Sequence, residues 1–197
     1  MKFSLFGRRI TVDFLFTALL TFLLFCDEKG AALAGLAAAF CHEMGHLVSM
    51  RLLRIPVKEF RFTPFGVAMV REESRQAGYL QDAIISVSGP LANLVLCGLC
   101  WMVGAGRTLF FQGNLLWALM NLLPVESFDG GQLLFSLFSS RFGVERAARV
   151  VQWISFFILV PLAACSFLLL FRSRYNISLL LVTFYLAGLL LKQGRFF

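Results

Sequence analysis

Long stretches without a charged side chain alternate with short polar connections along most of the chain. Asp, Glu, Lys and Arg are absent from residues 83–106, 108–125, 150–171 and 175–191. Each stretch is close to or above the length of about 17–20 residues that crosses the hydrocarbon core of a bilayer as a helix. Residues 31–50 would form another such stretch but for three ionisable side chains. The pattern predicts helices over roughly 10–26, 31–50, 81–104, 108–138, 150–171 and 175–191.

The composition agrees with a membrane protein. Hydrophobic residues make up 59% of the chain and charged residues 15%, whereas soluble domains have about 45–50% and about 25%. Neither an internal repeat nor a low-complexity linker divides the sequence. We therefore expect a single domain over residues 1–197, an all-α polytopic membrane protein with about six transmembrane helices.

Two segments do not fit straight helices. Val57–Thr63 alternates between apolar and polar residues and is followed by a turn signal at Pro64 and Gly66. This pattern predicts a short β-hairpin at the membrane surface over roughly 57–70, although an ordinary cytosolic loop fits it equally well. In the fourth helix, Pro124 and the Gly130-Gly131 pair predict a break near 121–130. Irregular backbone at membrane depth is tolerated where it lines a protein-filled or wet site.

The first apolar stretch has the features of a signal peptide, because Lys2, Arg8 and Arg9 precede the apolar run of residues 14–26. However, no small-x-small cleavage site follows it. The bulky Phe25 before Cys26 also differs from the small residue that usually precedes a lipoprotein cysteine. We therefore interpret this stretch as a retained first helix.

The ionisable residues of the second helix form an H-E-x-x-H motif, His42-Glu43-Met44-Gly45-His46. Residues four apart in a helix differ by about 40° in rotation and about 6 Å in rise, so His42 and His46 can hold one Zn²⁺ ion. Glu43 lies close enough to take a proton from a water at that metal. The chain contains 2 His in all, and ionisable residues inside an apolar span usually mark function. A coincidental pair of core histidines is the alternative.

A third zinc ligand is expected from the break in the fourth helix, where two carboxylates lie three residues apart. Asp129 is the candidate, and Glu126 is its rival. Asp129 could also merely cap the helix that resumes at Gly130.

The basic residues indicate the orientation. With the N-terminus inside, the inner segments 1–9, 51–75, 139–149 and 192–197 hold most of the Lys and Arg. This positive-inside bias predicts six spans with both termini cytoplasmic and the metal site nearer the cytoplasm. The net charge of +7 is explained by this topology, so no nucleic-acid partner is needed.

Together these motifs resemble the site-2 protease family of intramembrane zinc metalloproteases. The resemblance is carried by His42–His46, by the segment Ser88–Asn93 and by Asn121–Gly131, which is similar to the family's Asn-Pro-Asp-Gly region. It implies that one Zn²⁺ ion binds His42, His46 and Asp129, that Glu43 is the general base, and that Asn121 and Asn93 position the substrate. The compact plan is most similar to the branch that processes a membrane-associated sporulation transcription factor precursor. The sequence departs from many relatives at Ser127, where proline is common, and at Val67, where that branch often has glycine.

The resemblance implies hydrolysis of a peptide bond within or next to a membrane segment of a protein substrate, in a bacterial cytoplasmic membrane. A regulatory membrane protein is a further expected partner, and neither a PDZ nor a CBS regulatory domain is expected in the chain. Two other classes of function stay open: a catalytically silent membrane adaptor of the same fold, and a metal transporter that uses His42, Glu43 and Asp129 as a transit site.

Overall fold

The computed structural model describes residues 2–5, 8–63, 66–72 and 77–172. These residues form four strands and six helices. In chain order they are β1 (Lys2–Leu5), β2 (Arg8–Val12), α1 (Phe14–Phe25), α2 (Ala31–Leu52), β3 (Val57–Thr63), β4 (Gly66–Arg71), α3 (Tyr79–Met102), α4 (Leu109–Leu122), α5 (Asp129–Phe142) and α6 (Val144–Arg172).

The helix α3 lies at the centre of the bundle and packs against α2, α4 and α5, while α6 packs on α5. Small residues allow the close approach of α2 and α3. A Cβ atom added at Gly45 would lie 2.8 Å from the Ala92 Cβ, a distance that real side chains do not tolerate. This tight interface brings the ionisable residues of α2 against the surface of α3.

The interior contains many polar side chains and the outer helix faces are apolar, unlike the usual arrangement of a soluble domain. Two asparagines, Asn93 and Asn114, are fully buried. Large side chains point outward instead, among them Phe25, Leu33 and Phe157. Three helices, α2, α3 and the Val144–Cys165 part of α6, are long and apolar enough to span a membrane, and α1 is a shorter apolar helix. The coarse prediction of a helical membrane protein agrees with these properties.

A four-stranded sheet lies at one end of the bundle, with the strand order β1-β2-β3-β4. β3 and β4 are antiparallel and occupy the segment where the pattern predicted a hairpin. β2 is parallel to β3, with Arg9 opposite Glu59. The Thr11 hydroxyl donates a hydrogen bond of 2.9 Å to the Glu59 carboxylate across this pair. Hydrogen bonds from Arg61 and Thr11 lower the pKa of Glu59 to about 2. The Glu59 carboxylate that accepts these bonds is therefore ionised at neutral pH.

The prediction of an all-α chain with a first helix over 10–26 was therefore wrong at the N-terminus. Residues 8–12 form a strand, and α1 begins at Phe14. Basic residues before an apolar run are typical of the flank of a membrane helix, but here Arg8 and Arg9 belong to β2. The β-branched residues Ile10, Thr11 and Val12 are stabilised as a strand by pairing with β3, which is distant in sequence.

The predicted break in the fourth helix is present as the segment between α4 and α5, where Pro124 and a buried Val125 separate the two helices. The helix predicted over 150–171 begins earlier, at Val144, because Gly143 (φ +83°) ends α5 and α6 starts at once. The helix predicted over 175–191 lies outside the described residues.

Candidate metal centre

His42 and His46 lie on one face of α2, and both are almost completely buried. Their rings meet edge to face, with an interplanar angle of 86°, and their Nε2 atoms are 3.2 Å apart. The four-residue spacing of the motif therefore brings two ring nitrogens to one point, as the helix geometry predicted.

Each histidine ring is held from behind by α3. His46 Nδ1 lies 2.8 Å from the backbone carbonyl oxygen of Ile85, and His42 Nδ1 lies 2.8 Å from the side-chain oxygen of Asn93. A carbonyl oxygen can only accept, so both Nδ1 atoms carry a proton and donate. In the neutral imidazoles, both Nε2 atoms are then unprotonated and present lone pairs to the same point.

Asp129 contributes the third atom at this point. Its Oδ2 atom lies 3.0 Å from His42 Nε2 and 3.3 Å from His46 Nε2. Asp129 is the first residue of α5, whose N-cap is Phe128, and no side chain caps this helix. The carboxylate is therefore directed at the histidines and does not serve as a cap.

The glycines after Asp129 allow this position through close packing. A Cβ added at Gly130 would lie 2.6 Å from the Leu123 carbonyl oxygen, and one at Gly131 would lie 2.7 Å from the Glu126 Cα. Neither glycine has a positive φ. The pair was predicted to contribute to the helix break, whereas both glycines lie within α5 and let its start pack directly on the preceding loop.

The three atoms fit a zinc ion. They are lone-pair donors 3.0–3.3 Å apart, and within the described residues Asp129 Oδ2 is buried without a hydrogen-bond donor. Ligands at about 2.0–2.1 Å in a tetrahedral site lie about 3.3 Å from one another. Buried lone pairs that face each other are stabilised by a cation between them. In the part of the chain that the structure describes, these residues are the one cluster suited to a metal.

Glu43 lies beside this cluster on the wall of a cavity of about 1070 Å³. The cavity is bounded by α2, α3, α4, the start of α5 and the strand β4. The carboxylate of Glu43 is close enough to both histidines and to Asp129 to interact with them electrostatically. The cavity thus places one carboxylate next to the metal site and leaves room for an extended peptide.

The structure separates the two asparagines for which a substrate-positioning role was expected. Asn121 lines the cavity, with its side-chain NH2 donating to the Trp117 carbonyl oxygen. Asn93 is fully buried behind His42 and does not line the described cavity. All of its surface is covered, and its side chain contacts His42 and Asn114, so the role expected for Asn93 in positioning the substrate stays a prediction.

The rival carboxylate Glu126 lies outside the cluster formed by His42, His46 and Asp129. Its backbone N–H donates to the Ser155 hydroxyl, and its backbone oxygen accepts from Gln132. Glu126 does not belong to the metal-ligating cluster found in the described residues. Asp129 is the carboxylate that the fold brings to the histidines.

Two contributors to the site were missed by sequence reasoning. A Cβ at Gly89 would lie 2.6 Å from His46 Cε1 and 2.8 Å from His42 Cε1, so glycine is what lets both rings lie against α3. Asn114 is fully buried next to Asn93. The signal for Asn114 was present, since a polar side chain in an apolar span needs a partner.

We expect Gly89→Ala to weaken zinc binding, because the methyl group would displace the two imidazole rings that form the site. Overpacking of this kind also costs about 1–3 kcal/mol of stability. The measurement is zinc affinity of the purified variant by competition with a chelator. The matched control is Gly98→Ala on the same helix, where a Cβ would have nothing within 4 Å. Equal zinc affinity in the two variants would contradict the steric argument.

Comparison with known proteins gives three findings. Residues 31–113 and 107–162 match the sequence profile of peptidase family M50. The chain is 30% identical over 127 residues to stage IV sporulation protein FB of Bacillus subtilis, a match that covers 61% of this chain and 44% of that protein. The chain therefore spans less than half the length of this curated relative. Its fold is similar to the solved structure of a site-2 protease from Methanocaldococcus jannaschii, with a TM-score of 0.69 and 17% identity over 99% of this chain and 95% of the other.

Proposed function

The chain belongs to peptidase family M50, and from this premise we propose that it is a zinc metalloendopeptidase that cleaves a peptide bond within or next to a membrane segment of a protein substrate. The observation that carries the proposal is the convergence of His42, His46 and Asp129 at 3.0–3.3 Å, with Glu43 beside them in one cavity. This convergence lies among helices whose outer faces are apolar, which supports cleavage at membrane depth.

The mechanism assigns a separate task to each residue. His42, His46 and Asp129 would hold one Zn²⁺ ion, which when bound would supply a Lewis acid for the scissile carbonyl and for water. Glu43 would take a proton from the attacking water and return it to the leaving amine. Asn121, on the cavity wall, would hold the substrate backbone through its side-chain amide.

The substrate has to be extended at the cleaved bond, because a helix hides its carbonyl groups in hydrogen bonds. Residues of β4 line the cavity, and β4 is the terminal strand of the sheet that the structure describes. An extended segment could pair with this strand by β-augmentation and so lie across the cavity next to Glu43.

The curated relative is by name a sporulation protein. We therefore propose regulated proteolysis of a membrane-associated transcription factor precursor as the process, with a membrane protein as the regulatory partner. Purified chain reconstituted with such a precursor would test this proposal by the appearance of a defined cleavage product.

The experiment that tests the proposed activity is zinc measurement and peptide cleavage on the protein purified in detergent. We expect one tightly held zinc ion per chain and cleavage of a membrane-tethered peptide that stops on chelation and returns with zinc. Tightly bound zinc without cleavage would favour a silent adaptor, and zinc that exchanges rapidly across vesicles would favour a transporter.

We further propose six membrane crossings, with both termini and the open side of the metal site towards the cytoplasm of a bacterial cell. The distribution of Lys and Arg supports this orientation, and it would place the β3–β4 hairpin at the cytoplasmic membrane surface. We expect a reporter inserted near Lys29 to be external, and reporters inserted near Gly143 or fused after Phe197 to be cytoplasmic. The opposite labelling would overturn the proposed orientation.

A further inference from the structure

The side chain of Asn93, on α3, joins His42 on α2 to Asn114 on α4. Its oxygen accepts from His42 Nδ1 at 2.8 Å, and its NH2 group donates to the Ala38 carbonyl oxygen at 3.0 Å and to the Asn114 side-chain oxygen at 2.8 Å. Asn93 and Asn114 are both fully buried. All three contacts are therefore made without competition from water.

Two backbone carbonyls fix the direction of this chain of hydrogen bonds. The Phe110 carbonyl oxygen can only accept, so Asn114 presents its NH2 group there, at 2.8 Å, and turns its oxygen to Asn93. The Ala38 carbonyl oxygen can also only accept, so it receives a hydrogen bond from the NH2 group of Asn93. The Asn93 oxygen is left for His42, and a rotation of the amide by 180° would break both donations.

From this arrangement we propose that Asn93 is a positioning residue that keeps His42 in the tautomer with its proton on Nδ1, so that Nε2 is always free for the metal. The proposal rests on the metal-binding part of the proposed function and is independent of proteolysis. Partners of a ligating histidine set its tautomer and ring orientation in this way.

The second histidine provides a built-in comparison. His46 Nδ1 donates to the Ile85 backbone oxygen, which no substitution of a side chain removes. His42 depends on a side chain of α3, and His46 depends on the backbone of the same helix. Replacing Asn93 should therefore affect one ring and spare the other.

The experiment is possible because the chain contains 2 His, both of them in the metal site. Protein labelled with ¹⁵N in histidine, and freed of any histidine tag, gives ring-nitrogen NMR signals from His42 and His46 alone. In the metal-free wild type at alkaline pH, where the imidazoles are neutral, both rings are expected to carry the proton on Nδ1. In Asn93→Leu we expect His42 to become a mixture of tautomers, with His46 unchanged and zinc binding weaker by about 10–100-fold.

The variant Asn93→Asp distinguishes a role of Asn93 in positioning His42 from a role in stabilising the fold alone. The carboxylate still accepts from His42 Nδ1 but cannot donate to the Ala38 and Asn114 oxygens, so this variant should be less stable than wild type. We expect it to keep the His42 tautomer and to bind zinc more tightly than Asn93→Leu. Zinc affinity that simply follows stability across the variants would overturn the proposal. A wild-type His42 that carries its proton on Nε2 would also overturn it, even if no variant folds. Failure of the wild type to bind zinc would instead contradict the proposed function.

Discussion

Glu43→Gln is expected to abolish peptide cleavage while leaving zinc content and fold intact. The amide has nearly the shape of the carboxylate but cannot accept a proton, and a positioned general base contributes about 10²–10⁴-fold to the rate. Glu43 lines the cavity and is not one of the three groups that converge on the metal position. Cleavage of a membrane-tethered peptide, together with zinc stoichiometry on the same preparation, measures both effects.

The matched control for this substitution is Glu145→Gln. Glu145 is exposed in the first turn of α6, so the same chemical change is made away from the cavity. We expect wild-type activity in this variant. Substantial residual proteolysis by Glu43→Gln would remove Glu43 from the role of base.

Asp129→Ala is expected to lower zinc occupancy and to eliminate activity, whereas Glu126→Ala should retain most of both. Asp129 provides the oxygen that lies 3.0 and 3.3 Å from the histidine nitrogens, and two histidines alone are a weaker site than three ligands. One oxygen of Glu126 is buried without a hydrogen bond in the described residues, so removing this side chain leaves no partner unsatisfied. The zinc content of the two purified variants shows whether Asp129 or Glu126 is the third ligand.

The Asp129 and Glu126 variants serve as controls for each other, because each removes one carboxylate from the same segment. Loss of zinc in Glu126→Ala with retention in Asp129→Ala would exchange the two assignments. Equal loss in both would indicate that the segment between α4 and α5 collapses when either carboxylate is removed.

The motif on α2 could be predicted because it depends on local geometry alone. A spacing of four residues brings His42 and His46 together in any α-helix, whatever the tertiary fold. The choice between Asp129 and Glu126 could not be made from spacing. It depends on where α5 begins and on how closely Gly130 packs against the preceding loop.

The role of Asn93 could not be predicted either, because it too depends on tertiary packing. A polar residue in an apolar span indicates that it has a partner. It does not indicate whether that partner is a substrate or a side chain of another helix. The partners of Asn93 come from α2 and α4, and only the packing of three helices identifies them.

The helices were predicted better than the strands because their lengths are imposed by the bilayer. α3 and α2 begin and end within a few residues of the expected positions. β2 was missed, since its pairing with β3 joins segments separated by two helices. A short strand of this kind has little signal of its own until its neighbour is known.

The parallel pairing of β2 with β3 also limits how the chain can be threaded through a bilayer. Strands of one sheet lie on the same side, so the chain crosses an even number of times between Val12 and Val57. In the proposed arrangement α2 is one crossing, and α1 is then the other. The 12 residues of α1 extend about 18 Å as a helix, well short of the hydrocarbon thickness of about 30 Å. Such a mismatch is relieved by local thinning of the bilayer, and the lipid is therefore expected to be thinnest beside α1.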